Sequence, residues 1–188
     1  IVDDTGRLVA VARKVHLFDI DIPGKIRFFE SETLSAGDKA TVVDLPYAAG
    51  EHKLGVAICY DSRFAPLAIT MRGLGATVLA YPGAFNTVTG PLAYHLLARA
   101  RALDAQSYVL FASPARNPNS SYQAYGYSII VDPWGQPVAA AKGHDEEILV
   151  ADIDLNRVQE ARAAMRLWDQ RRPDVYLPGT DPSDPAPP

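Results

Sequence analysis

Leu54-Gly55-Val56-Ala57-Ile58-Cys59-Tyr60-Asp61-Ser62-Arg63-Phe64 sets the only cysteine of the chain between a short apolar run and a segment with helical spacing. Leu54 to Ile58 carries no charge and suits a buried strand. Asp61 and Ser62 are helix N-cap types, and Leu67, Ala68, Met71 and Leu74 then recur every three or four residues. Cys59 is thus expected at a strand-to-helix corner, where free N–H groups and the positive helix end favour an anion and lower the thiol pKa. The competing reading is that a lone cysteine is a small, often buried side chain that fills core space.

Working outward, Leu8 to Lys14 reads as a strand after the Asp3-Asp4-Thr5-Gly6 turn signal, with Lys14 at its end. Val15 to Ala40 has no sustained period and reads as an ordered surface loop. Thr41 to Leu45 is a short strand and Tyr47 to His52 a turn. Ala76 to Tyr81 is an apolar strand stopped by Pro82-Gly83, and Pro91 opens a helix to about Ala105 with Leu92, Leu96, Leu97, Ala100 and Leu103 along one face. Ser107 to Ser113 is a strand and Pro114 to Ser121 a loop. Asp132-Pro133-Trp134-Gly135 turns between strands at Tyr125–Val131 and Gln136–Ala141. Glu147 to Ile153 is a further strand, Asp154 caps a helix from Leu155 to Met165, and Pro178 to Pro188 is a Pro/Asp-rich tail expected to be disordered. Alternating strands and helices followed by hairpins indicate an α/β layered domain with a mixed sheet, over residues 1–176.

With 188 residues, 48% of them hydrophobic, the chain can bury one domain-sized core. Its net charge of −4 and scattered cations argue against nucleic acid as a partner. No apolar run approaches the roughly 20 residues that span a bilayer. One cysteine allows no internal disulfide, which fits a reducing compartment. The chain opens on Ile1 and at once on a turn, as if a strand had just ended, so an N-terminal portion is expected to be missing.

A cysteine nucleophile needs a base, oxyanion donors and often a nearby cation. Lys14 and Cys59 both end expected strands, so neighbouring strands would bring them together at one sheet edge; otherwise Lys14 is a solvated lysine. Glu30 follows Phe28-Phe29 and is a candidate acid, base or partner for Lys14, with Glu32 equally good by residue type. His16, His52, His95 and His144 share no metal-ligand spacing, so no metal site is expected. No glycine cluster forms a phosphate cradle, and no nucleotide cofactor is expected.

Taken together, Arg13-Lys14-Val15-His16-Leu17-Phe18-Asp19, the stretch Gly55 to Asp61, and Tyr81-Pro82-Gly83-Ala84-Phe85-Asn86 resemble the nitrilase superfamily of carbon–nitrogen hydrolases, within it most the omega-amidase branch. Thr89-Gly90-Pro91, Arg99-Ala100-Arg101-Ala102, Ser113-Pro114-Ala115-Arg116 and Val131-Asp132-Pro133-Trp134-Gly135 extend the similarity from about Leu8 to Tyr176. The resemblance implies an α-β-β-α sandwich and a Glu–Lys–Cys catalytic set, with the lysine at Lys14, the cysteine at Cys59 and the second family glutamate at Glu30 rather than Glu32. It places the general-base glutamate upstream of the lysine, where this chain has only Asp3 and Asp4 in a turn. Ala93-Tyr94-His95 stands where the family commonly has His-Trp-Glu, and Tyr127 where the branch commonly has His.

The implied reaction is amide hydrolysis through a thioester on Cys59, without metal or organic cofactor, on the terminal amide of a short 2-oxo dicarboxylic acid such as 2-oxoglutaramate. Tyr60, Phe85 and Asn86, within the matching motifs, are expected to line the substrate site, and Arg63, Arg116 or Lys25 to anchor its carboxylate. A homodimer in the cytoplasm or mitochondrion is expected. Two other readings stay open: a hydrolase for a nitrile or N-carbamoyl group, and a non-catalytic paralogue that pairs with other subunits.

Overall fold

A computed structural model describes residues 1–24, 26–45 and 51–176. Lys25, most of the turn expected at Tyr47 to His52 and the tail from Pro178 lie outside the described residues.

The centre is a six-stranded sheet in the order β3-β4-β5-β6-β7-β8, formed by β3 (Thr41–Asp44), β4 (Lys53–Val56), β5 (Ala76–Pro82), β6 (Tyr108–Ala112), β7 (Ile129–Val131) and β8 (Pro137–Ala140). The pairs β4–β5 and β5–β6 are parallel, and β3–β4, β6–β7 and β7–β8 are antiparallel, so the sheet is mixed as expected. Parallel neighbours require crossovers, supplied by helix α1 (Ala65–Gly73) between β4 and β5 and helix α2 (Thr89–Ala105) between β5 and β6. Strand periodicity then sorts the side chains. Leu79 and Tyr81 of β5 join Met71, Tyr94 and Phe111 in the main core, whereas Val78 and Tyr108 meet Val158 of helix α3 (Asn156–Ala164) in a second cluster.

Helix α2 buries a different face from the one its leucines suggested. Tyr94, Ala98, Ala102 and Ala105 lie in the core, while Leu92 and Leu96 are 75% and 67% exposed. Alanines at this spacing let the helix approach the sheet closely, and with apolar residues on both faces the periodicity cannot choose between them.

Leu8 to Lys14 forms no strand; it makes one isolated bridge, Val2 to Leu8, and leaves Leu8 and Val11 exposed. Glu147 to Ile153 likewise forms no strand, with Ile148 and Val150 exposed. Strand propensity needs a laddered neighbour to become a strand, and neither segment has one there. Conversely, part of the segment read as a loop is a hairpin, β1 (Asp19–Ile22) with β2 (Ile26–Phe29), leading into a 3-10 turn at Glu30–Glu32. β7 starts late because Gly126 and Tyr127 take left-handed backbone, φ 81° and 56°, which breaks the pleat before Ile129. The Asp132 turn is as expected: Asp132 Oδ1 accepts from the N–H groups of Trp134 and Gln136, both at 2.9 Å. A short helix α4 (Pro173–Tyr176) follows.

Candidate active site

β4 and β5 run parallel and end at the same edge of the sheet, the usual place for a site in such sheets. Cys59 follows β4 there, and Gly83-Ala84 follows β5. The two loops touch: a Cβ built on Gly83 would lie 2.4 Å from Cys59 Cα, so only glycine admits the Cys59 backbone at this point. Cys59 has a left-handed φ of 49°, which costs a non-glycine residue about 1 kcal/mol or more and is typical of a functional corner.

The corner itself differs from expectation. A 3-10 turn over Cys59–Arg63 intervenes, and α1 begins only at Ala65 with no side-chain cap. Asp61 and Ser62 therefore do not cap α1, and the thiol does not sit at its positive end. The Cys59 pKa is raised, not lowered: burial dominates, the Lys14 ammonium pulls it down, and the Glu30 carboxylate pushes it up. The resting thiol thus holds its proton and depends on a base to lose it. Its Sγ donates to the Ala84 carbonyl at 3.6 Å.

Lys14 Nζ donates to Glu30 Oε2, and the same oxygen accepts the Phe18 N–H at 2.8 Å. Both side chains are largely buried, at 11% and 20% exposure, whereas Glu32 pairs with Arg27 at the surface. Burial with a cation beside the thiol separates Glu30 from Glu32, which composition could not. Lys14 Nζ also lies 6.0 Å from the centre of the Tyr60 ring, which packs edge-on against Phe18 and Phe64.

The other candidates divide. Arg63 is exposed, stacks its guanidinium 5.2 Å from the Phe85 ring, and has no carboxylate partner among the described residues, so its charge is available. Arg116 is committed to the backbone: Nε donates to Ala124 O at 2.7 Å and Nη2 to Tyr125 O at 3.1 Å. Asn86 Oδ1 accepts from the N–H groups of Val88 and Thr89 and from Thr89 Oγ1, which fixes the start of α2. Lys25 lies outside the described residues. Among the described residues no group of three or more His, Cys, Asp or Glu could hold a metal, and no helix is long and apolar enough to cross a membrane.

Sequence reading missed three groups. The Tyr122 phenol donates to Ala84 O at 2.9 Å, sharing that acceptor with the thiol, and lies 38 residues away along the chain. Tyr94, 1% exposed, keeps its hydroxyl without a partner among the described residues and packs edge-on against Phe85 and Phe111. His16, which had no distinctive setting in the sequence, stacks on Phe64 at 3.6 Å and 6° and meets the Asp61 carboxylate.

The family profile described as carbon-nitrogen hydrolase matches residues 1–163. Omega-amidase NIT3 of Saccharomyces cerevisiae is 54% identical over 176 residues, 94% of this chain and 59% of the relative. Omega-amidase NIT2-A of Xenopus laevis is 55% identical over 171 residues, 91% of this chain and 60% of the relative. The chain thus spans about 60% of the length of these relatives. The crystal structure of yeast Nit3, described as a member of branch 10 of the nitrilase superfamily, superposes with a TM-score of 0.78 at 50% identity, covering 90% of this chain and 57% of that one. The Caenorhabditis elegans NitFhit protein gives 0.80 at 39% identity, covering 93% and 42%. A profile that takes in most of the chain, identity above one half and a shared fold lead to one assignment: the chain belongs to the carbon-nitrogen hydrolase family of the nitrilase superfamily.

Proposed function

We propose that Cys59 is the nucleophile of an omega-amidase-type hydrolase that cleaves the terminal amide of a 2-oxo dicarboxylic acid monoamide such as 2-oxoglutaramate. The observation that carries this reading is the lone thiol on a left-handed corner, with the buried Lys14–Glu30 pair close enough for its charges to bear on it. Similarity above 50% to omega-amidases of yeast and frog supports the substrate class.

The Cys59 thiol gives its proton to a carboxylate base and attacks the amide carbon, and the Lys14 ammonium faces the oxyanion. Return of that proton releases ammonia, and water then cleaves the thioester to the acid. Glu30 holds the Lys14 side chain in place beside the reaction. The family resemblance assigns the base to a glutamate ahead of the lysine. Asp3 does not serve, because its carboxylate is taken up by Thr5 and Arg7 in its own turn. Arg63, over the buried Phe85 ring, suits the distal carboxylate of the substrate better than the backbone-bound Arg116.

The exposed Val88, Leu92 and Leu96 on one side of α2 support a second copy of the chain as partner. A reducing compartment, cytosolic or mitochondrial, suits a free nucleophilic thiol.

The test is ammonia release from 2-oxoglutaramate by the protein extended at its amino terminus to the length of its relatives. Release that vanishes in Cys59→Ala with the fold intact is expected; release retained by that variant would rule the assignment out. A nitrile or N-carbamoyl compound turned over in preference would move the substrate class.

A further inference from the structure

The fully buried Asp61 carboxylate is, among the described residues, a buried acid near the site that the proposed chemistry leaves unused. Its Oδ1 accepts the His16 backbone N–H at 2.8 Å and lies 2.9 Å from His16 Nδ1; its Oδ2 accepts the N–H groups of Ile58 at 2.9 Å and Val15 at 3.3 Å. A carboxylate offers only lone pairs, so Nδ1 carries a proton and donates. Asp61 N–H in turn donates to Ile58 O at 3.0 Å.

The positions of these donors matter more than their number. Val15 and His16 are the two residues directly after Lys14, and Ile58 is the residue directly before Cys59. One side chain therefore grips the backbone next to the ammonium and the backbone next to the thiol, across 46 residues of sequence. The pair of bonds between Ile58 and Asp61 also brackets Cys59, whose left-handed φ of 49° persists only if its surroundings impose it. On the far side, the His16 ring is pinned flat against Phe64, which closes the same turn. The Leu8–Lys14 segment has no sheet ladder to place it, so this clamp supplies what strand pairing does not.

We propose that Asp61 is a positioning residue that locks the segment carrying Lys14 to the turn carrying Cys59, with His16 as its side-chain partner. It touches neither the thiol nor the ammonium and acts through the two backbones. The inference rests on Lys14 and Cys59 working together, but its test does not require amide turnover.

Because Cys59 is the only cysteine, its alkylation by iodoacetamide reports one thiol without background. Rates are compared at 25 °C and pH 8 in the chain itself, with folding checked by circular dichroism, for the parent, Lys14→Met, Asp61→Asn and the double variant. Lys14→Met slows alkylation in the parent. In the Asp61→Asn background the same change has an effect at least fivefold smaller, because the ammonium is no longer held against the thiol. Equal factors in both backgrounds, in folded protein, would overturn the proposal, since a merely structural aspartate changes stability and not this coupling. Should Asp61→Asn fail to fold, His16→Ala decides. It is expected to shrink the Lys14 effect about threefold, and His16→Asn, which restores a donor near the Nδ1 position, to recover it; an unchanged Lys14 effect in His16→Ala would equally overturn the proposal. Loss of amidase activity in Cys59→Ala bears on the proposed reaction and not on this clamp, so the two claims fail separately.

Discussion

Substituting Gly83 by Ala tests whether the β5 loop and the cysteine corner are packed as tightly as they stand. The added Cβ would lie 2.4 Å from Cys59 Cα and 2.9 Å from Cys59 N, where ordinary contact begins near 3.4 Å, so the two backbones must part by about an ångström. Backbone atoms cannot rotate away as a side-chain end can, and Gly83 is tied by its N–H to Ala112 O at 2.9 Å, so the strain has no local outlet. Overpacking of this kind costs about 3 kcal/mol, the upper end of the usual range. For a chain of this size that lowers Tm by about 6–12 °C. Gly55→Ala is the comparison: its Cβ would meet side-chain atoms and no backbone, Leu79 Cδ2 at 2.7 Å, Met71 Sδ at 2.8 Å and Met71 Cβ at 3.2 Å, and because both side chains are buried in the core it should still cost about 1–2 kcal/mol. A displaced reacting atom is costlier still for catalysis, on the order of a hundredfold per ångström. Thermal melts followed by circular dichroism, with iodoacetamide rates on Cys59, read both effects. A Gly83→Ala chain that melts with the parent and alkylates at the same rate would refute the packing argument.

Three further outcomes follow from the charges and surfaces of the site. The alkylation–pH profile of Cys59 should have its midpoint above that of a free cysteine peptide, moving further up in Lys14→Met and down in Glu30→Gln; shifts of the same sign in the two variants would contradict the opposed roles of these charges. The folded chain keeps the thiol proton to higher pH than the unfolded chain, so this group's contribution to stability is complete below the ordinary thiol pKa and is lost as pH rises through the raised one. Urea melts at alkaline pH should show that loss in the parent and not in Cys59→Ala. Leu92→Asp with Leu96→Asp, at positions 75% and 67% exposed, should leave the melting of the monomer within a degree or two but abolish self-association in sedimentation velocity, and a dimer that survives would exclude this face as the contact.

Much of this architecture was readable from residue pattern. β5 and β6 are apolar runs buried on both faces along most of their length, and the Asp132 turn follows from its own side-chain chemistry. What misled was context. The valines of Leu8–Lys14 and Glu147–Ile153 carry strand propensity, yet propensity is realised only against a neighbour. Of the α2 leucines, Leu92, Leu96 and Leu103 are exposed while Leu97 packs on the core beside the alanines, because the alanine face packs closer. At the site, the position of Cys59 just after β4 is legible in the sequence, but the 3-10 turn that follows it and the direction of its pKa are not, since the latter depends on how deeply the loops at Gly83 and Tyr122 enclose it. Glu30 was tied with Glu32 by type and is distinguished by burial beside Lys14. Asp61 precedes a helix and so suggests a helix cap, whereas its carboxylate turns back to a segment 45 residues earlier, a contact no local pattern encodes.

The proposed reaction requires a covalent intermediate at Cys59. Protein extended to the length of its relatives, mixed with 2-oxoglutaramate and quenched in acid during turnover, should gain the mass of one 2-oxoglutaryl group, mapped by peptide analysis to Cys59 and absent from Cys59→Ala. Ammonia released with the adduct on another residue, or at the same rate by Cys59→Ala, would contradict it.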